Sequence, residues 1–164
     1  MKTKSFLSLL ALLFFATSFT AIAQDSAFSG SWQLDKEKTV LADDQLFLSK
    51  MDIKLKNDTL FTTRVYENSY GEQYPFEEKL SLDGKECKIV IYDMPRTSKA
   101  SKSVNDGAII IESVTTFYGN NGEEDLDAKE TWKVSADSKI LSLDFTNKMS
   151  GNETTGKNFY TKIK

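Results

Sequence analysis

Ile109-Ile110-Ile111-Glu112-Ser113-Val114-Thr115-Thr116-Phe117-Tyr118-Gly119-Asn120-Asn121-Gly122-Glu123-Glu124-Asp125-Leu126-Asp127-Ala128-Lys129-Glu130-Thr131-Trp132-Lys133-Val134 is the stretch that decides the fold. Two alternating, β-branched and aromatic runs flank an Asn-Gly pair, the residues that tolerate the positive φ of a type I′ turn. A two-residue turn at Asn121-Gly122 sets Phe117 opposite Leu126, Thr115 opposite Ala128, Ser113 opposite Glu130, Ile111 opposite Trp132 and Ile109 opposite Val134. The next turn signal, Asp137-Ser138, sets Val134 opposite Leu141, Trp132 opposite Leu143 and Glu130 opposite Phe145. Both turns place Trp132 and Val134 on one apolar face, whereas a slip of one residue would scatter these side chains to opposite faces.

The pattern extends in both directions. Asp83-Gly84 reads as a hairpin that sets Leu80 opposite Cys87, Glu78 opposite Ile89 and Phe76 opposite Ile91. Asn57-Asp58 sets Leu55 opposite Leu60 and Ile53 opposite Thr62, Asp106-Gly107 marks a further turn, and the last run groups Phe159, Thr161 and Ile163 on one face. Nine such runs follow a short first strand at Trp32. An open sheet of that size leaves long edges, and one-sided patterning with sequential hairpins favours closure. The expected fold is all-β, an antiparallel up-and-down barrel of about 8–10 strands. Asp35 to Lys50 breaks the alternation and reads as a short helix or a lid loop.

The chain has 164 residues, is 40% hydrophobic and 27% charged, and carries 21 basic against 24 acidic residues. That is one globular domain, with no basic excess to track nucleic acid. Histidine is absent and there is one cysteine, which excludes His-assisted nucleophiles, a disulfide within the chain and a cysteine zinc site. Met1 to Ala23 has the parts of a secretory signal: Lys2 and Lys4, the apolar run Phe6 to Phe15, and the cleavage site Ala21-Ile22-Ala23. The expected product is residues 24–164, a periplasmic or secreted barrel beginning at Gln24. Cys87, in the apolar run Cys87-Lys88-Ile89-Val90-Ile91, is expected to be a buried, inert thiol. The outward positions Lys79, Lys88, Lys129, Thr131 and Lys133 would face lipid in a membrane barrel, so no membrane insertion is expected.

Phe28-Ser29-Gly30-Ser31-Trp32-Gln33-Leu34 opens the mature chain. Gly30-x-Trp32 on the first strand resembles the signature of lipocalins and the wider calycin superfamily. With Leu-Asp-Gly-Lys at 82–85 and Glu-Thr-Trp-Lys at 130–133, the chain resembles small exported lipocalin-like domains of bacteria. The strand count is also similar to that of ten-stranded fatty-acid-binding-protein-like barrels. The resemblance implies that Trp32 plugs one barrel end beneath a basic residue of the last strand, here Lys162, and that the cavity holds a small apolar molecule.

The inward face carries a few polar groups. Arg64 shares it with Leu60, Thr62 and Tyr66, Glu78 lies between Phe76 and Leu80, and Glu130 lies between Ala128 and Trp132. A carboxylate enclosed in an apolar barrel must be paired or neutralised. One reading makes these groups structural ion pairs. The other makes Arg64, Tyr66, Phe76, Glu78, Ser113, Glu130 and Trp132 a ligand-binding set, with Glu130 and Ser113 as its polar floor. The acidic stretch Glu123-Glu124-Asp125 with Asp127 lacks calcium-loop spacing and reads as a solvated hairpin tip. No phosphate-loop, dinucleotide or Gly-x-Ser-x-Gly motif is present. The expected protein is a monomeric, non-catalytic binder of a small apolar or amphipathic molecule, without cofactor or metal. The alternative is an interaction or structural module whose barrel is filled by its own side chains.

Overall fold

The computed structural model describes residues 27–39, 46–119 and 122–163. The signal segment and its cleavage site lie outside them. Ten strands follow one another: β1 (Gly30–Leu34), β2 (Phe47–Lys56), β3 (Thr59–Glu67), β4 (Gln73–Ser81), β5 (Cys87–Ile91), β6 (Met94–Lys102), β7 (Ile109–Gly119), β8 (Gly122–Val134), β9 (Ile140–Met149) and β10 (Asn152–Lys162). They form one antiparallel sheet in the order β4-β3-β2-β1-β10-β9-β8-β7-β6-β5, curled into a nearly closed up-and-down barrel. Of the stretch expected as a short helix or a lid loop, 36–38 form a turn, 40–45 lie outside the described residues, and from Phe47 onward the chain is already β2.

Local chemistry explains most of the register. Asn57 and Asp58 both take positive φ, 51° and 52°, and set Leu55 opposite Leu60 and Ile53 opposite Thr62 as the type I′ reading requires. The β8–β9 hairpin pairs Val134 with Leu141, Trp132 with Leu143 and Glu130 with Phe145. Its connection is held by Ser135 N–H donating to the Ile140 carbonyl, with Ser138 at φ 58°.

Two expected hairpins differ. β7 and β8 close at Gly119 and Gly122, one residue earlier than an Asn121-Gly122 turn would close them. Trp132 therefore faces Ile109 rather than Ile111, and Ile111 faces Glu130. The shift moves each partner by two residues, so the inward face is unchanged. β4 and β5 form no hairpin at all; they are the two edges of the sheet. After β4 the chain steps across to β6 instead: Gly84, at φ +81°, donates its N–H to the Ala100 carbonyl, and Asp83 bridges Ser101. Pro75 fits this placement, since an edge strand tolerates a missing donor. In β10 it is Tyr160, not the Phe159 set, that is fully buried.

All connections of one parity lie at one end of an up-and-down barrel. The β2–β3, β4–β5, β6–β7 and β8–β9 connections share an end with Gly30 and Lys162. That end is sealed by Trp32, Leu55, Leu60, Leu80, Leu82 and Ala100, all buried. Trp32 donates its indole N–H to the Phe28 carbonyl at 2.8 Å. The inward face at the other end, where β1–β2, β3–β4, β5–β6, β7–β8 and β9–β10 connect, is looser among the described residues: Tyr66, Phe76, Phe117, Leu126, Phe145 and Met149 are only half-buried.

Candidate functional site

Between the sealed end and the open end lies a layer of four charges. Arg64 of β3 is fully buried, and its Nη1 donates to both oxygens of Glu130 on β8, at 2.8 and 3.0 Å. In the strand order β3 and β8 are five steps apart in either direction, so this pair spans the barrel from wall to wall. Arg64 Nη2 lies 3.7 Å from Glu78 Oε2, and Arg96 Nε donates to Glu78 Oε1 at 3.1 Å. Two guanidiniums and two carboxylates balance. Each charge has a partner, the condition under which a low-dielectric interior accepts them.

Neutral groups complete the layer. Trp132 donates its indole N–H to Glu130 Oε2 at 2.8 Å, and Arg96 Nη1 donates to the Thr115 hydroxyl at 3.0 Å. The Arg64 guanidinium carbon stands 5.0 Å from the Trp132 ring and 5.9 Å from that of Phe76, and Arg96 stands 5.7 Å from Phe76 on its own account. Phe76 is thus held between two cations, and Tyr66 stacks beside it at 6.0 Å. Burial pushes the Glu78 carboxyl up, but Arg64 and Arg96 outweigh it and hold the group below its ordinary value. Burial would loosen the Arg64 proton, and the Glu130 and Glu78 charges overrule it, so Arg64 stays cationic. Burial, reinforced by the Glu130 charge, raises the Tyr66 phenol.

Six of the seven expected site residues meet here: Arg64, Tyr66, Phe76, Glu78, Glu130 and Trp132. Ser113 does not face Glu130; its ladder partners are Ala128 and Ser98, a consequence of the β7–β8 shift. Arg64 is not a free anion receptor either, since Glu130 occupies one of its ends. Arg96 escaped the sequence reading. Its signal was there: Arg96, Ser98 and Ala100 alternate, and all three are buried. The chain has two arginines, and both face inward, whereas no lysine among the described residues is buried.

Lys162 faces Trp32 across the β1–β10 ladder, its ammonium 5.0 Å from the indole and 3.0 Å from the Ala27 carbonyl. The β4–β5 seam is crossed by the Arg96–Glu78 pair and, nearer the open end, by the Tyr92 hydroxyl donating to the Pro75 carbonyl at 2.7 Å. Cys87 borders that seam, half-buried rather than buried. Two grooves, of about 620 and 460 Å³, are open to solvent and run over outer walls. The first passes Asp52, Phe61 and Lys79 to reach Cys87 and Ile89, and the second passes Thr97, Glu112 and Lys129.

Among the described residues there is no cluster of metal-ligating side chains, and no helix is long and apolar enough to cross a membrane. Comparison of the chain with protein-family models, with curated proteins and with solved structures returned no match.

Proposed function

We propose that this protein is a non-catalytic binder of a small apolar or amphipathic molecule, seated at the open end of the barrel above the charged layer. The observation that carries the reading is the contrast in burial along one inward face. Aromatic and aliphatic side chains that share a face with the core stay half-exposed at the open end. Apolar surface left in that state gains roughly 25 cal/mol for each Å² a ligand covers. The relation to lipocalin-like barrels belongs to the same proposal, supported by Gly30-x-Trp32 at the sealed end and by Lys162 over the Trp32 ring. Export belongs to it too. Mass spectrometry of the protein from its native compartment should find Gln24 or its pyroglutamate at the N-terminus, and an intact Met1 would refute export.

The binding test is a titration with N-phenyl-1-naphthylamine, a neutral apolar fluorophore. Wild type should give a saturable rise in emission, and Phe145→Ala should weaken it about tenfold, the loss expected when an aromatic wall is truncated. A second reading, a protein-interaction module, is favoured by the filled sealed end together with Tyr70, Tyr92 and Tyr118, exposed around the open end at 88%, 55% and 59%. Absence of any saturable probe binding would leave that second reading standing alone.

A further inference from the structure

The charged layer is balanced in charge but not in hydrogen bonds. Four of its buried side-chain atoms have no hydrogen-bond partner: Arg64 Nε, Arg64 Nη2, Glu78 Oε2 and Ser98 Oγ. Arg64, Glu78 and Ser98 are 0%, 4% and 1% exposed. They are neighbours. Arg64 Nη2 and Glu78 Oε2 stand 3.7 Å apart, too far for a hydrogen bond; Ser98 beside Glu78 and Tyr66 beside Arg64 are close enough to bias their protons, yet neither meets these atoms in hydrogen-bond geometry. Sealed polar groups left in this state each carry an uncompensated desolvation cost. Tyr66 and Phe76 stand two residues further along the same strand faces as Arg64 and Glu78, toward the open end, and form the stacked pair over the layer.

We infer that the ligand at the open end carries a neutral hydroxyl, or a group of the same donor-acceptor character such as a primary amide, which reaches this cluster past the Tyr66–Phe76 stack. The inference rests on the binding reading above and names the head group of its ligand. The chemistry selects neutrality from both sides. A hydroxyl oxygen accepts from Arg64 Nε–H or Nη2–H and, on its second lone pair, from the Ser98 hydroxyl, while its proton is donated to Glu78 Oε2, so two orphaned donors and the orphaned acceptor are met by one group. A carboxylate would add a third anion, without a matching cation, to a layer whose two arginines are already matched by Glu78 and Glu130. An ammonium would add a third cation beside Arg64 and Arg96. In either case an unbalanced charge enters a low-dielectric site, which costs far more than one hydrogen bond returns. The open end also disfavours anions at longer range: Glu72, Asp93, Glu123, Glu124 and Asp125 sit on or beside its connections, while Glu67 there is paired with Lys36.

The test displaces N-phenyl-1-naphthylamine from the mature protein with ligands of one tail and four heads: 1-octanol, 1-chlorooctane, octanoate and octylammonium. Chlorine fills the place of the hydroxyl and cannot complete the hydrogen bonds. 1-Octanol should displace the probe about tenfold better than 1-chlorooctane, the size of one to two well-made hydrogen bonds, and better than either charged ligand. Ser98→Ala, a small change that leaves all three ion pairs intact, should cut the alcohol-to-chloride ratio about threefold. Equal displacement by alcohol and chloride means that water alone meets these atoms, and overturns the inference while the binding reading stands. A preference for octanoate or octylammonium overturns it as well. Failure of the probe itself to bind overturns the binding reading, and this inference with it.

Discussion

The two ends of this barrel are built from the same alternating strands and end up with different properties. At the sealed end the inward side chains are large and interlocked: Trp32, Leu60, Leu80, Ile109, Trp132 and Leu141 are 0% exposed. At the open end the inward aromatics stay half-buried; the exposed apolar side chains do not follow this division, since Leu46, Tyr70, Tyr92 and Tyr118 at the open end and Val104 and Ile163 at the sealed end are all more than half exposed. Alternation decides which side chains face inward. It does not decide how many neighbours they meet there. The charged layer divides the two regimes, stability on one side and proposed recognition on the other.

The comparison is broken most directly by one truncation at each end. Trp132→Ala should cost about 3–5 kcal/mol in denaturant unfolding, because it opens a cavity and deprives Glu130 of its indole donor. Tyr70→Ser at the open end should change stability by less than about 0.5 kcal/mol. Similar costs at the two sites would mean that the ends do not differ.

The dividing layer comes next. Arg64→Met should cost about 3–5 kcal/mol, since Glu130 and Glu78 lose their shared cation inside the barrel. Adding Glu130→Leu to it should restore a large part of that loss, because Glu78 keeps Arg96. If the double variant is no more stable than the single, the layer is not held by charge pairing. This is a double-mutant comparison between residues in contact, where non-additivity is the expected result.

A smaller effect separates the layer from the surface by pH. Glu78 has a folded pKa held below its ordinary value by Arg64 and Arg96 against the opposing pull of burial. Its ionised form therefore favours the native state. That contribution is complete above the unfolded carboxylate value, near pH 4.3, and is lost as pH falls through the lower folded value. Unfolding measured between about pH 6 and pH 3 should show stability declining at the acid end, and Glu78→Gln should flatten that slope while lowering stability at neutral pH. An unchanged slope would remove Glu78 from the account.

Much of this architecture was legible in the residues, and the exceptions have physical causes. Period-2 alternation and turn chemistry predict ten runs, and Asn57-Asp58 and Asp137-Ser138 yield the register observed. The β7–β8 hairpin closes one residue early, yet faces survive, because a shift by two in partner preserves the side of the sheet. Asp83-Gly84 misleads because a sequence turn signal cannot distinguish a hairpin from a bend that delivers the chain to another strand; here Gly84 hands its N–H to Ala100. The quartet was half legible. Arg64, Glu78 and Glu130 stand out as charges in apolar alternation, but which acid meets which base depends on barrel closure across five strands. Arg96 hides behind Pro95 in a run rich in serine and lysine, where only its alternation with Ser98 and Ala100 marks it as inward.

The central claim is that recognition belongs to the open end, above the charged layer. Backbone and methyl NMR of the mature protein titrated with N-phenyl-1-naphthylamine tests it directly. Saturable shifts should concentrate at Tyr66, Phe76, Leu126 and Phe145, with Leu60, Leu80 and Ile109 at the sealed end unmoved. Saturable shifts that map instead to Asp52, Phe61 and Lys79 on the outer wall, or to the sealed end, would contradict it.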